Sequence, residues 1–342
     1  MRAAVTTSSG VEVREIPDPV PGPGQVLARP LAAGVCGSDL HLADAMAAEG
    51  PSARPYVMGH EFCAEVVALG PETSGRVPVG TRVVSVPMAA GRGGPVGLGL
   101  SPELPGAFGE LMVLQEDLLL PVPDGLSAEH AALTEPLAVG LHAVARGDVA
   151  DDDLALVVGC GPVGLAVIAA LKAEGNRRVI AADFSPQRRA VAERLGADLV
   201  LDPATDDPYG HWADFGFTEL PGAVALPEGR RAAGVVAFEC VGAPGVLRQM
   251  ITRVPNHSRI VMVGVNLEPD TIDPIVALRK ELTLAFAYSY RKEEYARTLD
   301  LLARGRIDAE AFVTGEVTLD GVAGAFAELH RPNDQVKIIV RP

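Results

Sequence analysis

The sequence predicts an α/β protein in two parts, a β-rich first part and a doubly wound parallel sheet after it. Three observations carry that expectation. The opening residues, to about position 35, are rich in Val, Pro and Gly, with proline-fixed turns such as Pro17-Asp18-Pro19-Val20-Pro21-Gly22-Pro23-Gly24 between short strand-like runs. From about residue 137 to 290, apolar strand-like runs alternate with helical ones. Within that stretch, Leu154 to Leu171 reads as strand, tight turn and helix, with Gly159, Gly161 and Gly164 at the turn.

The first part holds most of the polar chemistry. Gly34-Val35-Cys36-Gly37-Ser38-Asp39-Leu40-His41 packs a thiol, a hydroxyl, a carboxylate and an imidazole into an otherwise apolar segment, and a loop through Pro51 and Pro55 follows. Gly59-His60-Glu61 then heads an alternating, strand-like tail to Gly70. Gly80 to Val86 is another strand, residues 89 to 107 form a Gly- and Pro-rich loop without a cysteine, and Phe108 to Leu120 resumes strand character. Ser127 caps a helix that soon meets Glu135-Pro136, where the proline is expected to bend the chain and turn the carboxylate. Singly, a buried Cys or His is ordinary core filling. The set of four, Cys36, His60, Glu61 and Glu135, offers thiolate, imidazole and carboxylate, the donor types of a zinc site that keeps one position open.

In the second part, Gly159 allows a sharp turn, Gly161 lets backbone approach a pyrophosphate and Gly164 lets the helix lie close on its strand. Pro162 and Val163 complete the loop, and the helix start offers unpaired N–H groups to phosphate oxygens. A second strand, Arg178 to Ala182, ends in Asp183, 19 residues beyond Gly164, where a carboxylate accepts from an adenosine ribose. Ser185-Pro186 starts the next helix and Gly196 ends it. A transmembrane reading of the apolar stretch fails on its glycines, its proline and the adjoining Asp151 to Asp153. Gly234 to Glu239 and Arg259 to Val265 are further strands. Between them and the earlier unit, Tyr209, Trp212, Phe215 and Phe217 mark an irregular insertion over 203 to 231, expected to pack on its own domain. Glu293 to Arg304 and Val322 to Leu329 read as helices, and Val336 to Val340 as a strand.

Composition narrows the function. With 342 residues the chain has length for two domains and a sizeable core. Its 29 basic and 44 acidic residues, net −15, disfavour nucleic acid or an anionic membrane as partner. Four scattered cysteines, Cys36, Cys63, Cys160 and Cys240, make no disulfide framework, and the first residues carry no export signal, so a cytoplasmic location is expected.

In this order, Gly34 to His41, Gly59 to Glu61, Glu135-Pro136-Leu137-Ala138-Val139-Gly140 and the glycine fingerprint resemble the zinc-dependent medium-chain dehydrogenase/reductase family, nearest its polyol and threonine dehydrogenase branch. The likeness covers essentially the whole chain. It implies a GroES-like catalytic domain over residues 1–136, completed by 291–342, with an inserted Rossmann domain over 137–290 that binds NAD. Cys36 and His60 would ligate one catalytic zinc, and Glu61 and Glu135 occupy positions where relatives use a ligand or a carboxylate touching the metal-bound water. Thiolate plus two carboxylates would more than cancel the ion's charge, so one carboxylate is expected to bind at a time. Asp39 would orient His60 through its far nitrogen.

The reaction implied is reversible oxidation of a secondary alcohol or polyol to a ketone or aldehyde, with hydride passing to NAD. Ser38 would accept the proton and pass it through the cofactor ribose to His41, which would relay it to water. Asp183 favours NAD over NADP because a 2′-phosphate would meet a like charge, and Arg188 matches a basic position beside the adenosine ribose. Cys240, Val241, Val263 and Val265 fall at strand ends where a nicotinamide would rest. Two departures stand out. The second, structural zinc of related enzymes is not expected, since its four cysteines are missing from 89 to 107, and Ala64 replaces a usual glycine. A homodimer or homotetramer is expected by resemblance. The rival readings are a zinc-free quinone or enoyl reductase and a nucleotide-binding protein without turnover.

Overall fold

A computed structural model describes residues 1–175, 177–217, 234–331 and 334–342. The chain begins with β1 (Arg2–Thr7), β2 (Gly10–Glu15) and β3 (Gln25–Gly34), enters helix α1 (Gly37–Glu49), and returns through β4 (Tyr56–Val57), β5 (Glu61–Leu69) and β6 (Arg82–Ser85). A hairpin, β7 (Met88–Gly91) and β8 (Gly94–Gly97), precedes β9 (Met112–Gln115), β10 (Leu119–Pro121), α2 (Ala128–Ala132) and α3 (Thr134–Gly147). Strand and helix then alternate: β11 (Leu154–Val158), α4 (Pro162–Gly175), β12 (Arg178–Ala182), α5 (Pro186–Arg194), β13 (Leu199–Leu201), β14 (Val235–Glu239), α6 (Val246–Arg253), β15 (Arg259–Met262), α7 (Pro274–Arg279) and β16 (Thr283–Phe286). The chain closes with α8 (Lys292–Ala303), β17 (Val313–Thr318), α9 (Val322–Leu329) and β18 (Lys337–Arg341). No described helix is long and apolar enough to cross a membrane.

Two compact units result: residues 1–135, 295–305 and 312–342 form the first, and 136–294 with 306–311 the second. The second thus starts one residue earlier than expected and reaches four residues further, and it reclaims a short piece of the closing segment.

In the first unit, a sheet of order β10-β6-β5-β3-β18-β17, with β9 also on β3, packs with the smaller sheet β2-β1-β4 around Val26, Phe62, Met112, Phe108, Phe326 and Ile338. Strand β18 lies in the middle, antiparallel to β3 and parallel to β17. The segment expected as a loop after residue 41 is helical to Glu49. Cys36 caps α1 together with Asp39, and the Ala-rich run behind them favours helix. The expected bend at Pro136 is also corrected. Pro136 sits in the first turn of α3, where the missing N–H has no helical partner to lose. The loop over 89 to 107 contains the β7–β8 hairpin, fastened where Gln25 Nε2 donates to the Ala90 carbonyl (2.8 Å). Ala64 is a buried strand residue without positive φ, so its methyl is accommodated.

The second unit has one parallel sheet of order β13-β12-β11-β14-β15-β16, in which the chain reverses direction across the sheet between β11 and β14. That reversal is the switch point of a doubly wound fold, where ligands bind at the strands' carboxyl ends. Strand β15 ends at Met262, short of the expected Val265, because the N–H groups of Val263 and Gly264 both donate to the Glu239 carbonyl (2.9 Å). Tyr209 is buried in this unit's core, with Trp212, Phe215 and Phe217 against it. The expected local packing therefore holds up to residue 217, and the rest of the insertion lies outside the described residues.

Candidate metal centre and nucleotide loop

Strand register brings the polar residues of the first unit together. Gly34 pairs with Glu61 across β3 and β5, so Cys36, just past the end of β3, and His60, just before β5, meet at the same end of the two paired strands. Cys36, His60 and Glu61 are the described group of three or more His, Cys, Asp or Glu residues that could hold a metal, with donor atoms within 4.8 Å of one another. Gly59 makes the approach possible at φ +97°, against the Phe108 ring.

Asp39 fixes this corner. Its Oδ2 accepts the Cys36 backbone N–H (2.9 Å), and its Oδ1 lies 3.3 Å from His60 Nδ1, close enough for ionic attraction though not aligned as a hydrogen bond. Burial pushes the His60 pKa down, but Asp39 and then Cys36 outweigh it and hold the imidazole well above its usual value. With Asp39 beside Nδ1, Nε2 faces Ser38, whose Oγ is 3.4 Å away.

Glu61 is buried with divided oxygens. Oε1 accepts from Lys337 Nζ (2.7 Å), while Oε2 has no hydrogen-bond partner among the described residues. Burial lowers the Lys337 pKa, yet Glu61, Cys36 and Glu135 together raise it above the ordinary lysine value. The residues present fit a zinc ion: the donors are thiolate, imidazole and carboxylate, and a buried, unpartnered carboxylate oxygen is a poor neighbour for protein alone. Glu135, in the first turn of α3, is buried and close enough to act on Lys337 and Tyr295 electrostatically, but it stands outside the three-residue group. Ser38 and His41 share one face of α1, three residues apart, with Ser38 half-buried and His41 exposed.

In the second unit, Gly159 turns at φ +91°, and a Cβ there would strike Val241 and Cys240. A Cβ on Gly161 would meet nothing, whereas one on Gly164 would lie 1.8 Å from the Gly159 carbonyl oxygen. Pro162 and Val163 open α4 directly behind. Asp183 laces the loop: Oδ2 accepts the Cys160 N–H (2.7 Å) and Oδ1 the Ser185 N–H (2.8 Å). Ser185 Oγ caps α5 by accepting from the N–H of Arg188, which therefore stands one turn behind Asp183. Cys240 and Val241 follow β14, and Val263 and Val265 follow β15. A Cβ on Gly242 would come within 2.5 Å of the Val265 carbonyl, so the two segments adjoin, with Val241 and Val265 exposed.

Two residues escaped the sequence reading. Lys337 is a single cation in the apolar run Val336 to Val340, which is the signal that could have marked it. Glu239, read only as the end of a strand, is buried and accepts the N–H groups of Val241 and Gly242 (3.0 Å each), shaping the loop that meets Gly159.

Comparison with known proteins agrees with this layout. Residues 22–124 match the model of the alcohol dehydrogenase GroES-like domain, and residues 162–304 that of the zinc-binding dehydrogenases. The chain is 35% identical to the (R,R)-butanediol dehydrogenase of Bacillus subtilis strain 168, over 97% of this chain and 96% of that one. The chain belongs to the zinc-dependent medium-chain dehydrogenase family. As a member it is an oxidoreductase of the alcohol dehydrogenase type, with a GroES-like unit and a Rossmann unit. The crystal structure of 2R,3R-butanediol dehydrogenase from Bacillus subtilis superposes with a TM-score of 0.84 at 34% identity, covering 100% of this chain and 99% of that chain. A putative zinc-binding dehydrogenase from Sinorhizobium meliloti 1021, solved bound to NADP, gives 0.82 at 27% identity, covering 100% and 99%.

Proposed function

We propose that this dehydrogenase reversibly oxidises a secondary alcohol or polyol to the ketone or aldehyde, passing hydride to NAD, with one zinc ion per chain. The observation that carries the reading is the convergence of Cys36, His60 and Glu61 donor atoms within 4.8 Å. A small vicinal diol is the first substrate to try, because the relative with 35% identity is a butanediol dehydrogenase.

Zinc held by Cys36, His60 and one carboxylate supplies Lewis acidity toward an alcohol or carbonyl oxygen. The chain's own residues do the rest. Asp39 keeps the His60 ring turned so that Nδ1 stays beside a carboxylate and Nε2 is left for the ion. Ser38 Oγ takes the substrate's hydroxyl proton, and His41, exposed one turn further along α1, passes it to water. Gly159, Gly161, Pro162, Val163 and Gly164 cradle the pyrophosphate, and Arg188 stands near the adenosine ribose. Preference for NAD rests on Asp183, whose oxygens each keep acceptor capacity after their backbone bonds and whose charge opposes a 2′-phosphate. Two or more copies assemble in this reading, consistent with the edge position of β16 and the exposed Phe286 and Tyr288.

Metal analysis of the purified protein is expected to give one zinc per chain. NADH absorbance should then rise with secondary alcohols or vicinal diols and stop when a chelator strips the metal. Cys36→Ala is expected to lose both zinc and turnover. Full activity in Cys36→Ala, or turnover of quinones or enones by a zinc-free preparation, overturns the reading.

A further inference from the structure

Lys337 occupies a position that a surface lysine never needs. Continuing the β18–β3 register, in which Ile339 faces Gly34, sets Lys337 opposite Cys36. Its Nζ donates to Glu61 Oε1 at 2.7 Å and to the Val35 carbonyl at 3.0 Å, and the Lys337 and Glu61 side chains are only 2% and 1% exposed. Glu61 Oε2 lies against Gly34, where a Cβ would come within 2.0 Å of it, and makes no hydrogen bond among the described residues. One carboxylate is therefore split between a cation that takes one oxygen and a bare glycine that makes room for the other.

We infer that Lys337 is a positioning residue for the metal centre: it retains Oε1, leaves Oε2 as the single oxygen that Glu61 can give a metal, and thereby limits how tightly zinc is held. This rests on the zinc reading above. The physical argument is one of charge and of coordination positions. Thiolate and carboxylate together match the ion's charge, and a carboxylate binding through both oxygens would also fill the position that substrate needs. Lys337 returns one positive charge and holds back one oxygen. A buried ammonium is costly unless it is paired, and here one acceptor is on Glu61 of the cluster and the other on the residue before Cys36.

The test is chelator competition for zinc on the otherwise intact chain, together with the visible spectrum of the cobalt-substituted protein. Lys337→Met, which removes the ammonium's repulsion of the ion, is expected to hold zinc about tenfold more tightly than the native chain, with cobalt bands weakened as Glu61 adds its second oxygen. Lys337→Arg, which keeps the charge, should restore native affinity and spectrum. In a Glu61→Gln background the effect of Lys337→Met should vanish. Gly34→Ala, which crowds Oε2, should loosen zinc instead. If Lys337→Met fails to fold, Lys337→Gln provides the same comparison without the charge. Zinc held no more tightly in the uncharged variants, or a gain that survives Glu61→Gln, overturns the inference while leaving the dehydrogenase reading intact. A native chain that binds no zinc at all overturns both.

Discussion

Asp183 ties two consecutive pieces of backbone, the glycine loop through Cys160 and the next helix start through Ser185. Bonds of this charge-assisted kind contribute about 1.5–3 kcal/mol each. Asp183→Ala is therefore expected to lower the melting temperature and raise KM for NAD about tenfold, while Asp183→Asn, which keeps one acceptor, mainly narrows the gap between NAD and NADP. The ratio of kcat/KM for the two cofactors checks this; an unchanged ratio in Asp183→Asn removes the selectivity assigned to the charge. His211 gives a pH-dependent case. Its hydrogen bonds with Asp206 (3.0 Å) and Asp214 (2.7 Å) raise its pKa, burial opposing weakly. Raised in the fold, this group adds stability that is complete below the ordinary histidine pKa and lost as pH climbs through the folded value. With its side chain about one-fifth exposed, the effect is small, and His211→Gln should flatten that part of the melting-temperature profile. At this scale the sequence was informative where residue type alone carries the chemistry, as with Cys36, His60 and Glu61. It was silent on Lys337, because partnership across 276 residues depends on strand order.

The loop between β11 and α4 offers a comparison of two alanines. Gly164→Ala places a methyl 1.8 Å from the Gly159 carbonyl oxygen, a backbone atom that cannot step aside, so a loss of about 1–3 kcal/mol is expected in chemical denaturation. Gly161→Ala meets nothing among the described residues and should denature like the native chain, yet under the proposed function it should weaken NADH binding measured by cofactor fluorescence, since the space it fills is the one proposed for the pyrophosphate. Equal NADH affinity in Gly161→Ala would contradict the role given to that glycine. The loop was legible in sequence because each glycine answers a separate steric demand. Helix α1 was not, because its first residues are read as ligand types and the cap pairs a thiol with Asp39, an unusual partner for the N-terminal box. The bend assigned to Pro136 missed for a related reason: proline ends a helix only from its interior, and this one stands at the entrance.

Across the molecule, the two units interleave along the chain. Residues 306–311 belong with 136–294 because Arg306 donates to the Ala173 carbonyl (2.9 Å) and Asp308 binds Arg194 (2.6 and 3.0 Å), contacts that no periodicity announces. The alternation of strand and helix in the second unit was readable, since each strand is an apolar run bounded by turn formers. The closing strand was also readable, but its place between β3 and β17 was not. Removing residues 336–342 takes a middle strand from the first unit, and the truncated chain is expected to lose that unit's cooperative melting while a fragment of the second survives limited proteolysis. Two intact melting transitions after truncation would show that the sheet closes without β18.

The position of β18 also orders events at the ribosome. All of residues 136–294 emerge before Lys337 is made, so the parallel sheet can be finished while Cys36, His60 and Glu61 still lack their counter-charge. On the inference drawn above, a metal captured during synthesis would meet a carboxylate with both oxygens at liberty, and one captured afterwards would meet the restrained form.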